Sequence, residues 1–130
     1  AKHSDIFEYS ISRTPLIHPT VMFRASVFED GVRYPVNAVL AEDAALWYHM
    51  LESGYIFANI PEVLLDFRLQ ESTLFRRTRM ASARSEAGLR IRYMFKLKRF
   101  SLKNTASILA IFLVKVGPTF ITKMAYRYLR

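Results

Sequence analysis

The first third of the chain alternates weakly between apolar and polar residues. Residues 5–12 predict a short strand or an irregular lead-in, and residues 17–24 predict a strand that starts near a proline. Residues 25–30 predict one short helix that ends at Gly31. The pattern then gives way to a loop around Tyr34 and Pro35.

The clearest periodicity lies in the middle of the chain. Residues 44–51 predict a helix, and the large apolar side chains Leu46, Trp47, Met50 and Leu51 share its predicted buried face. Asp43 is suitably placed to be its N-cap, and Gly54 to end it. Residues 55–60 and 63–69 then predict two strands, separated by a turn at Pro61.

From residue 72 onwards the pattern is helical. Apolar residues recur at three- and four-residue steps and predict one apolar helix face: Met80, Ala83, Ala87, Ile91 and Met94. Basic residues cover much of the remaining surface: Arg84, Arg90, Arg92, Lys96, Lys98 and Arg99. Residues 106–116 are almost all apolar, and a last amphipathic helix is predicted after Gly117 and Pro118. The chain therefore predicts an α+β part with short strands, followed by a mostly α-helical part.

Composition and charge divide the chain at the same place. With 130 residues, of which 52% are hydrophobic, the chain is too apolar to be disordered, and the absence of cysteine excludes disulfides and thiolate chemistry. Residues 1–75 hold five basic and ten acidic residues, a net charge of −5, whereas residues 76–130 hold fourteen basic residues and one acid, a net charge of +13. We therefore treat residues 1–75 and 76–130 as two parts. The chain begins at Ala1 without an initiator methionine, and we expect it to be a piece of a longer protein.

Several motifs occur in an order that resembles the C-terminal half of a family 2 (GT-A type, inverting) bacterial glycosyltransferase. The segments are residues 18–24, the acidic pair Glu42-Asp43 followed by Leu46 and Trp47, and residues 59–68. The resemblance covers roughly 50 residues and implies that residues 1–75 are the acceptor side of a GT-A domain, with a basic helical extension in residues 76–130. It implies transfer of a sugar from a nucleotide-sugar donor to a saccharide or lipid-linked acceptor in cell-surface polysaccharide synthesis.

The resemblance assigns the catalytic base to Asp43. Inverting transfer needs a carboxylate that takes the proton from an acceptor hydroxyl as its oxygen attacks the anomeric carbon. Glu42 is expected to orient the loop or touch the acceptor. From the residues alone, a structural N-cap is the favoured interpretation of Asp43, and it is the resemblance that shifts the preference to the base.

Five further residues are candidates for substrate binding: Arg68, His18, Trp47, Gln70 and Arg76. Arg68 is implied to lie near the donor phosphates, and Arg76 belongs to a basic loop that could hold phosphate. The family often has a histidine where this chain has Gln70, so no metal role is carried over to that residue. For Trp47, core packing competes with sugar stacking. His18 could line the acceptor cleft or be a structural histidine.

No metal site is predicted within this chain. The Mg²⁺ or Mn²⁺ that the resemblance implies is held in such enzymes by a D-x-D motif, which does not occur here, and neither does a glycine-rich nucleotide-binding motif. We therefore expect the metal ligands to lie elsewhere in the intact enzyme, and this chain alone to be inactive.

Three interpretations of residues 76–130 remain open. The basic helices could rest on the inner, anionic face of a membrane, because residues 106–116 are too few to span a bilayer and Lys123, Arg127 and Arg130 could reach the headgroups. They could instead be an ordinary packed helical extension. A third possibility, a non-catalytic module that binds nucleic acid, lacks a recognisable motif, and no nucleic acid is expected. The expected location is cytoplasmic or peripheral at the membrane, and uncovered strand edges predict self-association.

Overall fold

A computed structural model describes residues 1–36, 38, 41–66, 80–118, 121 and 124. Helices and irregular segments build this part of the chain. The elements are α1 (His3–Tyr9), a 3₁₀ turn (His18–Thr20), α2 (Ser26–Glu29), α3 (Glu42–Glu52), α4 (Met80–Lys96) and α5 (Leu102–Val116). Helix α4 packs against both α3 and α5, and thereby links the two parts of the chain that differ in charge.

The α+β prediction is wrong, because no strand forms in the described residues. Residues 5–12 and 17–24 contain helical turns instead, and residues 55–60 and 63–66 have no regular structure. A strand requires a ladder of hydrogen bonds to a neighbour. The Asn59 amide does donate to the Ala1 carbonyl at 3.1 Å, but the Phe57 amide donates to the imidazole of His3 at 3.3 Å, so no ladder develops. Residues 67–69 lie outside the described residues.

Helix α1 replaces the first predicted strand for a local reason. The Asp5 carboxylate accepts a hydrogen bond from the Lys2 amide at 2.9 Å, which satisfies a donor at the start of the helix. Helical geometry then points Ile6 into the core, where it is fully buried. The alternation of apolar residues was therefore a misleading signal here, since one acid at the third helical position favours the helix.

Helix α3 confirms the strongest periodic prediction. Its buried residues include all four of the predicted face, Leu46, Trp47, Met50 and Leu51. The prediction that Asp43 is the N-cap is wrong: the helix begins at Glu42, and Ala41 occupies the cap position without a side-chain hydrogen bond. Asp43 therefore lies within the first turn.

Gly54 ends this helix as predicted, with φ +83° and a backbone hydrogen bond to Leu51. We expect Gly54→Ala to lower the free energy of unfolding by about 1–2 kcal/mol, because a Cβ there meets no atom within 4 Å and the cost is conformational. Gly88→Ala is the matched control. Gly88 lies inside α4, and a Cβ added there also meets no atom within 4 Å. This variant should therefore raise the free energy of unfolding by about 1 kcal/mol. Urea unfolding of both variants measures the difference, and equal shifts would contradict the explanation.

Helices α4 and α5 confirm the predicted helical pattern, but the predicted face of α4 is partly wrong. Met80 and Ile91 are 55% and 45% exposed, whereas Arg90, which was assigned to the polar surface, is 3% exposed. Ser101 caps α5 by accepting a hydrogen bond from the Asn104 amide at 3.1 Å. Neither α4 nor α5, nor any other described helix, has both the length and the apolar character needed to cross a bilayer.

Arg90 is buried because it belongs to an ionic cluster between α4, α5 and the N-terminal segment. Its guanidinium lies 2.8 Å from the Glu86 carboxylate and also donates to the Ile11 carbonyl. Lys115 of α5 contacts the other oxygen of Glu86 and lies 3.3 Å from the Ser82 hydroxyl. Since Glu86 is the one acid among residues 76–130, it neutralises part of the basic half from inside.

This cluster predicts acid sensitivity. Burial by itself would raise the pKa of Glu86, but Arg90 and Lys115 outweigh it, and the pKa lies below its ordinary value of 4.5. The unfolded chain therefore takes up this proton at a higher pH than the folded chain. The stabilisation is fully present above about pH 4.5 and is lost as the pH falls through the lower folded pKa.

We expect the free energy of unfolding to fall as the pH drops below about 5, and Glu86→Gln to flatten this slope. Urea titrations across this range provide the measurement, with Glu62→Gln as the control because Glu62 is exposed. A slope that is the same in wild type and Glu86→Gln would show that other carboxylates cause the acid sensitivity.

Candidate functional site

Asp43 lies at the start of α3 with its side chain half-buried. One carboxylate oxygen, Oδ1, accepts a hydrogen bond from the Ala44 amide at 2.8 Å, which holds the group against the first turn. The partial positive charge of a helix N-terminus favours the ionised carboxylate there. The side chain of Asp43 does not cap the helix and is not fully buried in the core. Glu42, the preceding residue, is exposed in the same turn.

His18 and Tyr34 form the neighbouring part of the site. The Tyr34 hydroxyl lies 3.3 Å from Nδ1 of His18, and the two rings meet edge to face at 5.7 Å. Pro19 favours the 3₁₀ turn that carries His18, because its fixed φ suits the first helical positions. Partial burial, followed by the charge of Asp43, raises the pKa of Tyr34, so its phenol keeps its proton at neutral pH. The site therefore combines a carboxylate, a neutral phenol and an imidazole.

Trp47 packs beside His18 and is fully buried. Its ring stacks on Phe23 at 5.7 Å, and the His18 ring lies 6.2 Å away. Phe57 meets it edge-on at 6.5 Å. Its aromatic surface is thus used in packing, so Trp47 supports His18 from below and does not offer a free face to a sugar. Its Nε1 is buried without a hydrogen-bond partner in the described part of the chain.

The structure therefore brings four of the candidates, Asp43, Glu42, His18 and Trp47, into one neighbourhood. The other three substrate-binding candidates, Arg68, Gln70 and Arg76, lie outside the described residues. Tyr34 was not a candidate. Sequence reasoning placed it in a loop, and no periodic signal connects it to His18, which lies 16 residues earlier.

The described side chains of this site do not form a binding site for the Mg²⁺ or Mn²⁺ that the resemblance implies. The described residues contain no group of three or more His, Asp or Glu side chains that could hold a metal ion together. Mg²⁺ and Mn²⁺ are bound mainly by carboxylate and water oxygens, and Asp43 and Glu42 alone are a poor set.

Comparison with known proteins adds a second line of evidence. Over 83 residues, 64% of its length, the chain is 37% identical to the UDP-Gal:alpha-D-GlcNAc-diphosphoundecaprenol beta-1,3-galactosyltransferase of Escherichia coli, of which it covers 30%. Over 128 residues, 95% of its length, it is 29% identical to an uncharacterized glycosyltransferase of Haemophilus influenzae, of which it covers 45%. The chain is related to glycosyltransferases.

The chain spans less than half the length of each of these two relatives. No family model and no solved structure matches it. The two relatives support a glycosyltransferase parent, in agreement with the resemblance found in the sequence.

Proposed function

We propose that this chain is the acceptor-side part of an inverting, family 2-like glycosyltransferase, here called the parent enzyme. The parent enzyme transfers a sugar from a nucleotide-sugar donor to a saccharide or lipid-linked acceptor during synthesis of a cell-surface polysaccharide. The E. coli relative is named for a UDP-sugar donor and a diphosphoundecaprenol-linked acceptor, which makes these classes the first to test. A nucleotide-binding part and any metal ligands would be supplied by other residues of the parent enzyme.

The position of Asp43 carries the proposal. Asp43 is half-buried in the first turn of α3, and the hydrogen bond from the Ala44 amide holds one of its carboxylate oxygens. The carboxylate would accept the proton of an acceptor hydroxyl as that oxygen bonds to the anomeric carbon. The bond from the anomeric carbon to the phosphate oxygen breaks at the same time, and the nucleoside diphosphate leaves with the electron pair.

The neighbouring residues would orient the acceptor. The Tyr34 phenol, protonated and 38% exposed, can donate a hydrogen bond to a sugar oxygen or accept one from a sugar hydroxyl. His18 would hold the phenol through their 3.3 Å contact, and Glu42 would border the acceptor from the same turn as Asp43. We assign Arg68, Gln70 and Arg76 to the donor side, where the guanidinium groups suit phosphate.

The assignment is tested by the stereochemistry of transfer. The parent enzyme should be supplied with a panel of UDP-sugars and a diphospholipid-linked N-acetylglucosamine acceptor, and the anomeric configuration of the product read by NMR. Inversion relative to the donor is expected, while the isolated 130-residue chain should form no product. A product that retains the donor configuration, or transfer by the isolated chain, would contradict the proposal.

A further inference from the structure

The hairpin formed by α4 and α5 leaves a set of large apolar side chains in solvent. We define the hairpin surface as Phe95, Phe100, Leu102, Leu109 and Leu113, whose exposed fractions run from 55% for Leu113 to 87% for Leu102. Large exposed apolar side chains that share one side of an element often mark a binding surface. The hairpin surface therefore requires an explanation that the proposed transferase site does not give.

The tip of the hairpin is held in one conformation. The rings of Phe95 and Phe100 stack at 5.6 Å with 27° between their planes. The Arg99 amide donates to the Met94 carbonyl at 2.8 Å, and the side-chain amide of Asn104 donates to the Arg99 carbonyl at 2.6 Å. The aromatic pair is thus presented by an ordered turn.

The outer side of α5 continues this surface. Steps of seven and four residues place Leu102, Leu109 and Leu113 on one side of the helix, over roughly 16 Å at 1.5 Å per residue. Asn104 and Ile108 are the buried residues on the opposite side. Packing against α4 therefore uses one side of α5 and leaves the leucine side uncovered in the described part of the chain.

Cations surround the hairpin surface. Lys98 and Lys103 are exposed within the same stretch of chain, and Arg92 is exposed one turn before Phe95. None of these three takes part in an ion pair with a described residue, and the one acid of the basic half, Glu86, already contacts Arg90 and Lys115. The surface is therefore both apolar and positively charged.

We propose that the hairpin surface docks the protein on an anionic lipid surface, with Phe95, Phe100 and the α5 leucines in the interface and Lys98 and Lys103 at the headgroups. An apolar face bordered by lysine and arginine is the combination that interfacial helices use. Each lysine or arginine near an anionic leaflet adds attraction that salt weakens.

Two other occupants fit less well. A second copy packed by two-fold symmetry would bring Lys98 and Lys103 of both copies into one interface, where their like charges repel. A nucleic acid would match the cations but would leave the exposed leucines in water. A lipid surface matches both features. The inference goes beyond the proposed function and does not depend on it.

Sedimentation of the intact protein that contains this chain, mixed with vesicles, tests the proposal. We expect binding to vesicles of mixed phosphatidylcholine and phosphatidylglycerol, and at least about tenfold weaker binding to phosphatidylcholine alone. Phe100→Ser with Leu102→Ser should weaken binding to the mixed vesicles by about tenfold or more, since both side chains lose apolar area. Lys98→Gln with Lys103→Gln should weaken it by about 30-fold and reduce its dependence on salt.

Val63→Ser with Leu64→Ser is the matched control, because these side chains are 92% and 67% exposed but lie in the acidic part. It should leave vesicle binding unchanged. A Phe100→Trp variant gives a second reading: its emission should shift to shorter wavelength on anionic vesicles. Equal binding to both vesicle types, equal losses in the control and hairpin variants, or a dimer that only the hairpin variants dissociate would overturn the proposal. No sugar donor or acceptor is present, so this test and the transfer assay fail independently.

Discussion

Asp43→Asn is expected to lower the turnover of the parent enzyme by about 10²–10⁴-fold. The amide keeps the size of the carboxylate and can still accept the 2.8 Å hydrogen bond from the Ala44 amide, but it cannot take a proton. Binding of the nucleotide-sugar should remain nearly unchanged, because the residues proposed for the donor side are untouched. Single-turnover transfer and calorimetric donor titration measure the two quantities separately.

The choice of control makes this prediction specific. Asp30→Asn changes a carboxylate that is exposed and is contacted by the Tyr55 hydroxyl at 3.4 Å, so turnover should stay near wild type. Glu42→Gln should have a smaller effect than Asp43→Asn, because Glu42 is assigned to positioning. If Asp43→Asn turned over at the wild-type rate, Asp43 would lose the role of base. A parallel loss of donor affinity and thermal stability would indicate a structural role instead.

Glu86→Ala is expected to lower the free energy of unfolding by about 3–5 kcal/mol. The substitution leaves the Arg90 guanidinium, 3% exposed, with the Ile11 carbonyl as its remaining described partner. An uncompensated buried cation is more costly than the loss of the pair itself, because the charge stays removed from water. Chemical denaturation monitored by Trp47 fluorescence suits the measurement, since Trp47 is fully buried.

Two further variants separate burial from charge pairing. Glu52→Ala breaks the surface ion pair between Glu52 and Lys96, which lie 2.6 Å apart and whose side chains are 33% and 36% exposed. This variant should lower the free energy of unfolding by no more than about 1 kcal/mol. Glu86→Gln combined with Arg90→Met removes both charges and should recover much of the loss. A Glu86→Ala effect as small as that of Glu52→Ala would show that water reaches the cluster in solution.

The candidate site was only partly predictable. Asp43 and His18 were named from motifs, and their neighbourhood follows from the positions of the 3₁₀ turn and α3. The contact of Tyr34 with His18 depends on how a loop folds back, which no short-range pattern encodes. Whether Asp43 caps the helix depended on where α3 begins, and a shift of two residues turned a predicted cap into a first-turn carboxylate.

By itself, the sequence determined the elements whose signals are local. The apolar face of α3, the glycine that ends it and the helical character of residues 80–116 all follow from side-chain periodicity and backbone conformation within one segment. The division of charge between the two parts is likewise fixed by composition.

Only the tertiary structure decided which segments have partners. Residues 55–60 have the composition of a strand, yet a strand exists through its neighbours, and none pairs with them in the described residues. Arg90 reads as a surface residue, yet it is buried against the Glu86 carboxylate and the Ile11 carbonyl. The Ile11 carbonyl, and Lys115 on the other side of Glu86, come from residues far away in the chain, so no local pattern could have shown that Arg90 is buried.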